Sequence, residues 1–193
     1  PRIESEPNEY TLIEQDNHSS FGRLKGFHGQ MGMFVRALSF ILSHGADGLR
    51  LASEDAVLNA NYILARLGDL FSVPYSGPCM HEVLFDDQFL KDTGVSTLDF
   101  AKAMIDEGFH PMTMYFPLVV SGAMLIEPTE SESKDSLDQF IASMRHLAER
   151  ALANDVGYFE RAPYLAPYRR LDETQAARKP VLRWRPERQD SAE

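Results

Sequence analysis

Apolar residues at Phe27, Met31, Phe34, Val35, Leu38, Ile41 and Leu42 recur at the i, i+3/i+4, i+7 spacing of an amphipathic helix between Leu24 and His44. His44 and Gly45 then supply a stop, because an imidazole can face the last carbonyls and glycine can take a positive φ. A second helix is predicted from Asp47 to Leu67, with Leu49, Ala52, Ala56, Ala60, Ile63, Leu64 and Leu67 on one face. After Gly68 the period changes. Val73-Pro74-Tyr75-Ser76-Gly77-Pro78 reads as an extended piece and a turn. Cys79 to Phe85 alternates as a strand would, with His81, Val83 and Phe85 on one face and Met80, Glu82 and Leu84 on the other.

A shorter helix follows, capped by Ser96 or Thr97, built on Phe100, Ala101, Met104 and Ile105, and ended by Gly108. Strands are predicted at Met112 to Phe116 and Ala123 to Glu127, with a bend at Pro117 and Gly122 between them. In IEPTESESKD (126–135), Thr129 as N-cap puts Glu132 at N3, the spacing of a capping box, and Glu130 and Glu132 would meet the positive end of the helix dipole. Behind them Leu137, Phe140, Ile141, Met144, Leu147, Ala148 and Ala151 form one stripe. The order strand, helix, strand, strand, helix predicts an α+β fold, with helices packed on one side of a small, mainly antiparallel sheet. Three regions are expected: an extended N-terminal segment (1–20), the α+β domain (21–156), and a Pro/Arg-rich tail (157–193) laid over the surface of its own or a neighbouring chain.

Composition narrows the function classes. The chain has 193 residues, is 44% hydrophobic and carries a formal charge of -10, so it should fold and should not bind nucleic acid or an anionic membrane by general electrostatics. No apolar run approaches the roughly 18 residues of a membrane span, and PRIESEPNEY has no signal-sequence character, so a cytoplasmic protein is expected. Its opening on Pro1 is expected equally of a piece of a longer polypeptide and of a chain that has lost its initiator methionine. Cys79 stands alone and can form neither an internal disulfide nor a cysteine zinc site.

Candidate chemistry is sparse. The glycines of GFHGQMG (26–32) fit neither the dinucleotide nor the P-loop spacing, and close helix packing is the expected use. None of the six histidines pairs at a metal-ligand spacing, so no metal is expected. His81 and His110 stand at the edges of apolar strands, where a polar side chain needs a partner. His81 and Glu82, pointing to opposite faces of a strand, should form no dyad. There is no G-x-S-x-G elbow, and none of Lys25, Lys91, Lys102, Lys134 and Lys179 sits in an apolar context that would ready it as a nucleophile.

The strings GRLKGFHGQMG, GLRLASEDAVLNANYILARL, VPYSGPCMHEVLF, LKDTGVSTLDFAKAMIDEGFHP, MTMYFPLVVSGAMLIEPTESESK and RAPYLAPYRRLDE resemble the C-terminal part of the pyridoxal-phosphate-dependent glycine decarboxylase family. This is glycine dehydrogenase (decarboxylating), the P protein of the glycine cleavage system, and the likeness is nearest to subunit 2 of the two-subunit prokaryotic form. It runs from about residue 20 to residue 172 and is most specific from GFHP to EPTESE. The resemblance implies the small C-terminal domain of an aminotransferase-like, fold type I enzyme. There the cofactor is the electron sink while carbon dioxide leaves glycine, and the aminomethyl group passes to the lipoyl H protein. The implied partners are the rest of the decarboxylase, its partner subunit and the H protein, in an oligomer.

The family's cofactor lysine follows a histidine ahead of a glycine-rich loop, and neither occurs here, so the chain by itself is expected to be inactive. What carries over is His81 and Glu82 in the family's HE pair, His110 in its Phe-His-Pro element, and Glu127, Glu130 and Glu132 of EPTESE. The resemblance implies that His81 and His110 lie toward the cofactor domain or the substrate entrance. A free-standing, non-enzymatic module binding the partner subunit or the lipoyl carrier is the alternative.

Overall fold

Arg2–Glu6 (β1) and Glu9–Ile13 (β2) pair antiparallel, from Arg2 opposite Ile13 to Glu6 opposite Glu9, in the stretch where sequence reasoning finds only an extended segment. These strands are too polar to show a hydrophobic alternation, so the hairpin is invisible to a periodicity argument. The computed structural model describes residues 2–7, 9–13 and 26–184. It divides the chain into two units, Pro1–Leu49 and Arg50–Glu193.

Helix α1 (Met31–Leu67) carries both predicted helices across a break at Gly45, whose φ of 64° and ψ of -176° leave the helical region. Glycine adopts that φ at little cost, which is why the stop can be read from sequence. The helix begins at Met31 and not Leu24, which lies outside the described residues. Of the nearby glycines only Gly29 is crowded: a Cβ there would come within 2.6 Å of the Phe34 ring, while Gly26 and Gly32 face open space.

In the second unit three short strands make an antiparallel sheet in the order β3-β5-β4: Val83–Phe85, Met124–Ile126 and Thr113–Met114. Val83 faces Ile126 and Thr113 faces Leu125. The predicted Cys79–Phe85 strand is reduced to its last three residues, and the alternation survives there, with Val83 and Phe85 buried and Leu84 half-buried. Helices α2 (Thr97–Asp106) and α3 (Lys134–Leu152) complete the predicted order. The apolar stripe of α3 is buried through Leu137, Ile141, Met144, Leu147 and Ala148. The α+β class read from the sequence is the observed one.

The turn before β5 needs glycine at Gly122. Its φ is 56°, and a Cβ would fall within 2.3 Å of the Asp87 carboxyl group. Its carbonyl accepts a hydrogen bond from the buried Thr97 hydroxyl at 2.9 Å, which ties the turn to the first residue of α2.

Two caps behave differently. Ser96 caps α2 in a full capping box with Asp99, as the spacing predicts. The cap of α3 is Ser133, whose hydroxyl accepts from the Ser136 amide, and not Thr129. Thr129 is held outside the helix: the Asn59 side chain donates to its carbonyl at 2.9 Å, and its hydroxyl bonds Ser131 at 2.8 Å. Glu132 is therefore no N3 partner; it accepts instead from the Ser136 hydroxyl at 2.7 Å.

Beyond α3, a further helix, α4 (Val156–Arg161), inserts Phe159 into the core with no exposed surface. Both carboxylate oxygens of Asp106 accept backbone amides of the next segment, Tyr164 at 2.6 Å and Leu165 at 2.7 Å. Arg170 donates to the carbonyls of Ala162 and Phe159 and pairs with Asp99 at 2.7 Å. The last helix, α5 (Glu173–Arg178), is exposed throughout.

Asp99 makes this region acid-sensitive. Partial burial pushes its pKa up, but the Ser96 hydroxyl and amide and the Arg170 guanidinium outweigh that and hold it below the usual carboxylate range. A depressed folded-state pKa means that the stabilisation is complete above the unfolded value of about 3.9 and is lost as pH falls through the folded value. Arg170→Ala removes one lowering influence, so the acid-unfolding midpoint followed by circular dichroism should move to higher pH. An unmoved midpoint would show that the Asp99–Arg170 pair contributes nothing.

Candidate functional site

A cleft of about 410 Å³ opens between α1, the sheet and α3. Its apolar lining comes from Ile63 of α1, Met112 before β4, Leu125 of β5, and Leu137 and Phe140 of α3. Its polar lining is Glu82, His110, Thr113, Glu127, Glu132 and Ser136. No lysine or arginine is among the lining residues.

Helix α1 sets both rims. Asn61 grips the backbone of Cys79 from both sides, donating to its carbonyl at 2.7 Å and accepting its amide at 3.0 Å. That clamp fixes the approach to Glu82. Two residues earlier, Asn59 holds the carbonyl of Thr129 and so fixes the segment that carries Glu127 and Glu132. Cys79 itself is half-buried, and burial pushes its thiol pKa up, away from a reactive thiolate.

His81, Glu82 and Glu127 bring one imidazole nitrogen and two carboxylate oxygens within 4.8 Å of one another at the rim. This corrects the expectation that His81 and Glu82 point to opposite faces. Regular strand geometry begins only at Val83, so strict alternation does not govern residues 81 and 82. His110 is exposed and lines the cleft, while His81 is exposed beside Glu82 and is not part of the lining. Sequence reasoning did not bring Glu127 and Glu82 together. The antiparallel register that sets Val83 opposite Ile126 does so, by placing their neighbours side by side.

Negative charge from three glutamates suits this cleft to cationic or neutral groups and opposes a phosphate. A pyridoxal phosphate of the kind the resemblance implies needs a lysine amine and a cradle for its phosphate. Lys134 is held protonated by the Asp138 carboxylate, which accepts from it at 2.5 Å and pushes its pKa up, the opposite of what a Schiff-base amine needs. Lys91 and Lys179 are exposed on the surface. The cleft lining offers neither a lysine amine nor a basic cradle for a phosphate, so it does not fit the cofactor, and no chemical step is assigned to it on this chain.

Comparison with known proteins gives a consistent result. Residues 52–162 match the family model described as glycine dehydrogenase, C-terminal domain. The chain is 68% identical over 174 residues to the "Probable glycine dehydrogenase (decarboxylating) subunit 2" of Caulobacter vibrioides, covering 90% of this chain and 33% of that protein. It is 47% identical over 179 residues to the protein of that name from Kosmotoga olearia, covering 92% of this chain and 37% of the relative. For the one from Staphylococcus haemolyticus the identity is 50% over 171 residues, covering 89% and 35%. The chain thus spans about a third of the length of the curated relatives it matches.

Proposed function

The chain belongs to the family of glycine dehydrogenase C-terminal domains, and from that premise we propose that it works as the C-terminal portion of a two-subunit glycine decarboxylase. The whole enzyme decarboxylates glycine on pyridoxal phosphate and passes the aminomethyl group to the lipoyl arm of the H protein. The cofactor lysine belongs to the rest of the polypeptide, and this chain completes the cleft without being active alone. Supporting this reading, the family match over residues 52–162 takes in every residue that lines the cleft.

His81 and His110 then stand toward the cofactor domain or the substrate entrance, with Glu82 and Glu127 beside His81. The partner subunit and the lipoyl H protein are the proposed partners, in a cytoplasmic oligomer.

Borohydride reduction of the purified chain with pyridoxal phosphate, followed by peptide mass spectrometry, tests the assignment of the lysine. The expected result is no stoichiometric adduct at any one position. A full-occupancy adduct at a single lysine among Lys25, Lys91, Lys102, Lys134 and Lys179 would place the cofactor on this chain and overturn the assignment.

A further inference from the structure

From Met31 to Leu42 only Gly32, Arg36 and Ser39 are not apolar. At 100° per residue Phe34, Leu38 and Ile41 lie on one side and Met33 and Phe40 about a third of a turn round, so the apolar arc takes more than half of the circumference and leaves Gly32, Arg36, Ser39 and Ser43 on a narrow strip. Both sides are open, with Leu38 56% and Phe40 46% exposed. The hydroxyls of the strip and the His44 ring turn back on their own helix. Ser39 donates to the Val35 carbonyl and Ser43 to the Phe40 carbonyl, each at 2.8 Å. The His44 ring lies 4.1 Å from that of Phe40, with Nδ1 3.0 Å from the Phe40 carbonyl. A helix whose apolar arc takes more than half of its circumference, with the hydroxyls of the remaining strip satisfied internally, has the character of a core element buried over most of its surface.

We propose that the segment from Met31 to His44 is a core helix of the longer polypeptide, seated with its whole apolar arc covered in a groove formed by the part of the subunit outside this chain. The inference rests on the family reading, because the match takes only 33% to 37% of the relatives' length and the remainder supplies the occupant. A second copy of this chain fits less well, since two-fold pairing covers a single seam of each helix and leaves the rest of the apolar arc in water. A bilayer fits less well again: no helix among the described residues is long and apolar enough to cross one, and the net charge of -10 opposes an anionic surface.

The test is amide hydrogen exchange over residues 31–44 in the 193-residue chain and in the full-length Caulobacter vibrioides relative carrying this chain in place of its matching third. Exchange should be at least ~100-fold slower in the longer polypeptide, as for a core helix compared with a locally opening one. Phe34→Asp and Phe40→Asp, about a third of a turn apart on the arc, should each remove most of that protection. Equal exchange in the two proteins overturns the proposal. So does protection in the short chain that rises with its concentration, which would indicate self-pairing, and so does an effect of only one of the two variants. Exchange of isotope-labelled bicarbonate into glycine, measured on the same longer protein with its partner subunit and lipoyl carrier, reads the function separately. Activity without protection sinks the docking alone, and protection without activity sinks the functional reading alone.

Discussion

Phe100→Ala is expected to lower the stability of the domain by about 3–5 kcal/mol, the range for deleting a large aromatic side chain from a packed core. Phe100 has no exposed surface and is the ring at which separate parts of the chain meet. Its centroid lies 6.0 Å from Phe71, 5.8 Å from Phe89 and 6.2 Å from Phe159, the last contributed by α4 after the final long helix. Alanine would leave a cavity that Phe71 and Phe159, themselves buried, cannot fill without moving their own elements. Domain stabilities are on the order of 5–15 kcal/mol, so the variant should be close to unfolding at room temperature. The check is the urea midpoint, with Phe116→Ala as the control. Phe116 is 55% exposed, and its truncation should cost no more than about 0.5 kcal/mol. A loss below about 1 kcal/mol for Phe100→Ala would contradict a core organised around this aromatic group.

The features that sequence alone located are those whose cause is local. Gly45 could be placed because a positive φ at a helix break belongs to one residue, and Ser96 because its partner Asp99 is three positions on. The strands β3 and β5 were found by their apolar character, with ends that ran one to four residues too far. The failures have causes in distant contacts. Thr129, Ser131 and Ser133 offer nearly the same capping chemistry, and Asn59, 70 residues earlier, holds Thr129 outside the helix. The site shows the same division. His110 could be singled out as a polar residue at an apolar edge, and it does line the cleft. The meeting of Glu82, His81 and Glu127 depends on strand register and on the Asn61 clamp, and neither leaves a periodic trace in the sequence. The prolines and arginines after Gly157 predict a surface tail. The burial of Phe159 and the capture of two amides by Asp106 are long-range facts that composition cannot carry.

The largest effect expected is on activity, because the proposed cofactor lysine and this cleft lie in different parts of one polypeptide. The 193-residue chain, given pyridoxal phosphate, glycine, the partner subunit and the lipoyl carrier, should show no enzymatic exchange of labelled bicarbonate into the glycine carboxyl group. The same residues placed in the matching third of the full-length Caulobacter vibrioides relative should restore it by several orders of magnitude, since enzymes accelerate such reactions ~10⁶-fold or more. His81→Ala and His110→Ala in that longer protein should reduce the exchange while leaving the urea midpoint within about 0.5 kcal/mol, as expected for exposed side chains at a cleft rim.

Bicarbonate exchange by the short and the long proteins side by side is the most direct measurement of the central claim. Exchange confined to the long protein is the predicted result; exchange by the 193-residue chain alone, or none from a folded, cofactor-loaded long protein, would contradict it.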